Sequence, residues 1–224
     1  MSTSEEAQNA VPCPKLKLRL EVVNAWNPEL AALLQRLWQY GVNGIHELGL
    51  RALVDEFLQE RVPVQFYLEP ASHSGKHHPT WQNREHGTLL SIVESCVLVP
   101  PMAVAVPALV DRNRQPISLA VDVALAATLI SDTFKVDDDG KPTKAQHGRC
   151  AAEAWTEFAL ARRRTYPEIV KRAAEASFWH YGIFSPEWIE GTVFSPETQL
   201  VHIVDLATSL KALEIIYDSR KPRG

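Results

Sequence analysis

The chain has 224 residues, 46% hydrophobic and 22% charged, which is ordinary for a soluble globular protein and enough to bury one sizeable core. A formal net charge of −4 supplies no basic excess to draw a nucleic acid or an anionic membrane surface. The three cysteines, Cys13, Cys96 and Cys150, are odd in number and lack CxxC spacing, which supports neither a zinc knuckle nor a disulfide framework and fits a reducing, cytoplasmic setting. The opening "MSTSEEAQNAVPCPK" is polar and acidic, without the basic start and apolar core of a signal peptide. Residues 1–15 are therefore expected as a flexible tail and 16–224 as a single domain. No uninterrupted apolar run approaches membrane-spanning length, so no membrane partner is expected; a homo-oligomer stays open.

The first helix follows from "NPELAALLQRLWQYG", where Asn27 is the N-cap and Pro28 sits in the first turn, and "GIHELGLRALVDEFLQER" continues the same period. Residues 62–87, rich in Pro, Ser, Gly and His, read as a long loop with a short extended start. Helical patterns resume at 87–99, 116–131, 145–163 and 166–180, the third with a capping signature in Thr143 to Gln146. A last helix begins after Ser195, with Pro196 at its first position, and runs to about residue 217. Alternating strand patterns are nearly absent, and the fold class is all-α.

In such a frame the polar intruders on apolar helices are informative, because an ionisable group costs free energy to bury unless it is paired or metal-bound. Asp132 ends "VALAATLI", His147 opens the next helix, His180 ends "AAEASFWH", and Asp205 interrupts "LVHIVDLATSL". Two carboxylates and two imidazoles suit a divalent transition ion if helix ends bring them together. Taken singly, each is more commonly a cap or a hydrogen-bonded core group. "VDDDGKP" at 136–142 lacks the spacing and terminal Glu of a calcium loop, and "LARRRTYPE" reads as a solvated helix end. Trp81 and Trp179 are the two tryptophans placed to meet a ring-bearing ligand.

The order of these elements over about residues 65–217 resembles the HD-domain metal-dependent phosphohydrolase superfamily. "EPASHSGKHHP" is similar to a loop of one subset, "LISDTFK" to the segment bearing the His-Asp pair, His147-Gly148 to the His-Gly opening of the following helix, "WHYGIFSPE" to the segment of a further His, and "VHIVDLATS" to the final acid-bearing helix. The resemblance implies an HD-like helical bundle with an N-terminal helical extension. It also implies a divergent member, since Ser131 stands where the histidine of the pair would be and Ser91, or Ile92 in a shifted register, where the first metal-binding histidine would be.

By that resemblance one ion, Mn, Fe, Ni or Zn, remains on Asp132, His147 and His180. Metal-assisted hydrolysis of a phosphoester or nucleotide would use Asp132 and Lys135, with Asp205 as base or water-positioning group. Lys76, His78, His86 and Lys135 are the substrate-binding candidates, with His86 also a candidate replacement for the lost ligand. His73 and His77 complete a loop cluster whose adjacent histidines point apart, and His46 and His202 read as structural, His202 also as a support behind the ligands. The competing readings are a catalytically inactive ligand-binding member and an interaction module with a vestigial pocket.

Overall fold

The computed structural model of the protein describes residues 27–72, 78–136 and 146–210. Among these are seven α-helices: α1 Pro28–Arg36, α2 Leu48–Glu60, α3 Gly87–Met102, α4 Ser118–Ser131, α5 His147–Arg162, α6 Pro167–Phe178 and α7 Pro196–Ser209. The described residues include no β-strand, so the all-α expectation holds. The tail at 1–15, His73, Lys76, His77, most of "VDDDGKP" and the capping residue Thr143 lie outside the described residues.

The helix starts follow from local chemistry. Asn27 Oδ1 accepts the Leu30 backbone N–H at 3.0 Å and Pro28 occupies a position whose N–H would have no helical partner. Ser195 caps α7 in the same way, with its Oγ 3.3 Å from the Thr198 nitrogen and Pro196 following. Among the described residues α7 closes at Ser209, after which Leu210 adopts an extended backbone; the expected continuation to about residue 217 lies outside the described residues. The expected extended start of the long loop is instead a short 3₁₀ turn, Val64–Tyr67, because Phe66 and Tyr67 both turn into the core.

The centre of the bundle is α4, which packs against α2, α3, α5, α6 and α7. Every residue from Ala120 to Ser131 is buried, as an apolar sequence without a polar face requires. Buried side chains from all seven helices form one contiguous cluster, including Leu34, Phe57, Val93, Leu125, Trp155, Val170 and Leu200. Helices α1 and α2 belong to that cluster, and nothing sets them apart as the N-terminal extension that the resemblance implied. The stretch Gly87–Ala105 is long and apolar enough to cross a membrane by length and composition, contrary to the sequence expectation. In this fold 61% of it lies inside the bundle.

Asp122 is a buried carboxylate within α4 that organises the start of α2. It accepts the backbone N–H groups of His46 at 3.0 Å and Glu47 at 2.8 Å, and His46 Nδ1 lies 3.2 Å away. The structural reading of His46 follows from this contact.

Candidate metal centre

Asp132 is the residue on which α4 stops, His147 is the first residue of α5, and His180 lies two residues beyond α6. Three helix ends therefore meet, and all three side chains are buried. A carboxylate at a helix C-terminus faces the negative end of the helix dipole, an unfavourable placement unless positive charge is supplied. Lys135, three residues on, supplies part of it, with Nζ 2.8 Å from Asp132 Oδ2.

The other oxygen, Asp132 Oδ1, lies 3.2 Å from His147 Nε2 and 3.6 Å from His180 Nε2, and the two imidazole nitrogens are 3.2 Å apart. Ligands ~2.0–2.1 Å from a zinc-sized ion in a tetrahedral set stand ~3.3–3.4 Å from one another, so this triangle has the edge lengths such an ion requires. Oδ1 is buried without a well-directed hydrogen bond, an uncompensated acceptor that a cation would satisfy.

The tautomers agree with this. His180 Nδ1 donates to the Ser177 carbonyl at 2.8 Å, which leaves the lone pair on Nε2, facing the cluster. Burial, reinforced by the neighbouring His147, lowers the His180 pKa to about 3, so the ring is neutral as ligation demands. Burial opposes ionisation of Asp132, but Lys135 and the two imidazoles outweigh it and hold its carboxyl well below the usual carboxylate range. Gly148 makes room for the arrangement: a Cβ there would lie 3.0 Å from His180 Cε1 and 3.0 Å from the Phe178 carbonyl oxygen.

Beside the cluster is a cavity of about 600 Å³ lined in part by His78, Lys135, Tyr181, Phe184, His202 and Asp205. Asp132, His147 and His180 are not in its wall; Lys135 and Tyr181 line it and also touch the cluster. The Tyr181 ring packs on His180 with centroids 4.2 Å apart and edge-on to His147 at 5.1 Å. Lys135 Nζ also donates to the Ala71 carbonyl at 3.3 Å. Loss of hydration and the nearby Asp132 raise the Asp205 carboxyl to about 7, against the opposing pull of Lys135. Burial, Asp132 and Asp205 likewise push the Tyr181 phenol upward.

Of the sequence candidates, the fold brings Asp132, His147, His180 and Lys135 into contact and places Asp205 and His78 at the cavity. His78 Nδ1 is 2.7 Å from Gln82 Oε1, and Gln82 in turn donates to the buried Glu94 and to the Thr208 carbonyl at 3.3 Å. His86 is engaged elsewhere: Nδ1 donates to the Tyr67 carbonyl at 2.7 Å and Nε2 meets the Asn27 amide at 2.9 Å. Neither Trp81 nor Trp179 is in the cavity wall. His202 both lines the cavity and donates Nδ1–H to the His180 carbonyl at 3.0 Å, bracing the residue that carries a ligand. Sequence reasoning missed Tyr181, Gln82 and Glu94; the charge of Glu94 inside the apolar "SIVESC" was the one available signal.

The reading of a divergent HD-domain member with a ligand lost at position 131 is corrected here. The Asp132–His147–His180 set is intact and within mutual reach. Ser131 takes no part in it: the residue closes α4, and its hydroxyl donates back to the Thr128 carbonyl at 3.1 Å. Comparison with family models, with curated proteins and with solved structures finds no match for the chain. The protein is an all-α bundle with a buried Asp/His/His cluster positioned to chelate a divalent metal ion.

Proposed function

We propose that the protein is a metal-dependent hydrolase of phosphoesters working from the ligand set Asp132, His147 and His180. One juxtaposition carries the reading: a buried ligand triangle shares Asp132 with a lysine that lines a cavity of about 600 Å³. That volume lies within the ~300–1,000 Å³ typical of small-molecule sites. When bound, a divalent ion at these residues would supply a Lewis acid for a phosphoryl oxygen and lower the pKa of a nearby water. Lys135 already directs Nζ at Asp132 Oδ2 and the Ala71 carbonyl, and its remaining N–H would donate to a non-bridging phosphate oxygen at the cavity wall and offset charge that builds there. In the net reaction a water oxygen bonds to phosphorus, the ester P–O bond breaks, and a proton from the water ends on the leaving alcohol.

The competing reading is a ligand-binding protein without turnover. The Lys135–Asp132 ion pair favours it, because much of the positive charge that would act on a phosphate is already engaged.

Metal analysis of protein purified without a histidine tag, followed by phosphate release from p-nitrophenyl phosphate with added Mn²⁺, tests both. Stoichiometric Mn, Fe, Ni or Zn, lost in Asp132→Ala and His147→Ala together with turnover, supports the hydrolase. Bound metal without turnover supports the ligand-binding reading, and protein that takes up no metal sinks the hydrolase.

A further inference from the structure

We infer that the cavity beside the metal cluster takes a phosphomonoester bearing an amine, with the ammonium group held by Asp205 among His202, Tyr181 and Phe184. The inference rests on the phosphoester reading above and assigns its substrate class.

Among the described residues the charges at the cavity do not balance. The carboxylate of Asp205 lines the cavity and makes no ion pair or hydrogen bond with the described residues, while the one described cation in the wall, Lys135, is bonded to Asp132. With a divalent ion on Asp132, that ion and Lys135 would offset Asp132 and a phosphate dianion, which leaves Asp205 as the carboxylate of the described wall without positive charge. A nucleoside polyphosphate would bring further negative charge to this wall and be repelled, whereas a ligand carrying a positive group restores neutrality where Asp205 stands.

The hydrogen-bonding character of the same wall points the same way. His202 donates Nδ1–H to the His180 carbonyl, which can only accept, so in the neutral tautomer Nε2 is the ring nitrogen left to accept. His202 and Asp205 lie three residues apart on α7 and therefore on one helical face, and both line the cavity. Together they offer acceptors to a group that donates several hydrogen bonds. The rings of Tyr181 and Phe184 line the cavity as well, and the negative face of an aromatic ring attracts a cation. Phe184 is 68% exposed, an apolar ring left at the surface that a ligand would cover. Carboxylate, imidazole lone pair and aromatic faces form an ammonium subsite, and Lys135 marks where the phosphate end begins.

The test compares O-phosphoethanolamine with propyl phosphate, which has the same length and no charge at the far end, by calorimetric titration of the full-length, Mn²⁺-loaded protein. Phosphoethanolamine is expected to bind about tenfold or more tightly than propyl phosphate, the lower end of what a close charge pair contributes. Asp205→Asn, of nearly the same shape, is expected to erase that preference, and Phe184→Leu to reduce it about two- to fivefold. Metal content of each variant reports on fold and cluster. Equal affinity of the native protein for the two esters overturns the inference, and so does a preference that survives in Asp205→Asn or a loss that is equal for both esters, as removal of a general base or of the fold would give. Phosphate release is measured separately: a preference in binding without release refutes the hydrolase and leaves the subsite standing, whereas release without preference does the reverse.

Discussion

Replacing Gly148 by alanine separates the metal cluster from the stability of the bundle. The added Cβ would come within 3.0 Å of His180 Cε1, 3.1 Å of His180 Nδ1 and 3.0 Å of the Phe178 carbonyl oxygen. Carbon atoms in contact prefer ~3.5–4.0 Å, so the imidazole or the chain bearing it must retreat by about half an ångström or more. The His180 ring is pinned by its Nδ1–H bond to Ser177, and displacement carries Nε2 out of the 3.2–3.6 Å triangle with Asp132 and His147. A metal site tolerates ligand distances within ~0.2 Å, and disturbing the groups that orient a ligand costs about 10- to 100-fold in affinity. At the same time alanine is favoured over glycine within a helix by up to ~1 kcal/mol, so the variant is expected to stay folded. Competition of Zn²⁺ between the protein and a chromophoric chelator, read alongside a thermal melt of the metal-free protein, gives both quantities. Unchanged zinc affinity in a folded Gly148→Ala protein would refute the argument that this close approach sets the ligand geometry.

Asp122→Ala strips an acceptor from two backbone N–H groups and the His46 ring at the start of α2. A loss of about 2–4 kcal/mol is expected, lowering Tm by roughly 5–15 °C in a chain of this size, with metal stoichiometry unaltered. Ser131→Ala is expected to leave zinc affinity unchanged and stability within about 1 kcal/mol of native, since the hydroxyl only bonds back to Thr128; a loss of metal would return Ser131 to the site. In the metal-free protein the unfolded chain takes up a proton on His180 near its ordinary pKa, whereas the folded chain resists until about pH 3. This group therefore favours folding above pH ~6.5 and loses that contribution as pH falls, by up to ~1.4 kcal/mol per unit. Chemical unfolding at pH 6.5, 5.5 and 4.5 should show the slope, and His180→Gln should flatten it.

Much of the architecture was legible because it depends on neighbours in the chain. Asn27 and Ser195 cap helices through bonds to nitrogens three residues on, and Pro28 and Pro196 follow where no N–H is required. The long apolar run of α4 announced a helix surrounded on all sides, and Asp132, His147 and His180 stood out as ionisable groups at the ends of such helices. What each was for depended on contacts far along the chain. Ser131 and His86 looked like a lost ligand and its replacement while only their order was known; the fold gives the Ser131 hydroxyl to Thr128 and the His86 ring to Tyr67 and Asn27. The starts of α1 and α7 are dictated by residue types within one turn, which a sequence carries. The ligand triangle joins positions up to 48 residues apart, and Asp205, without an ion pair among the described residues, lines a cavity walled by four separate segments; no local rule sets distance or charge balance across such gaps, so only the packing of helix ends against one another decided them.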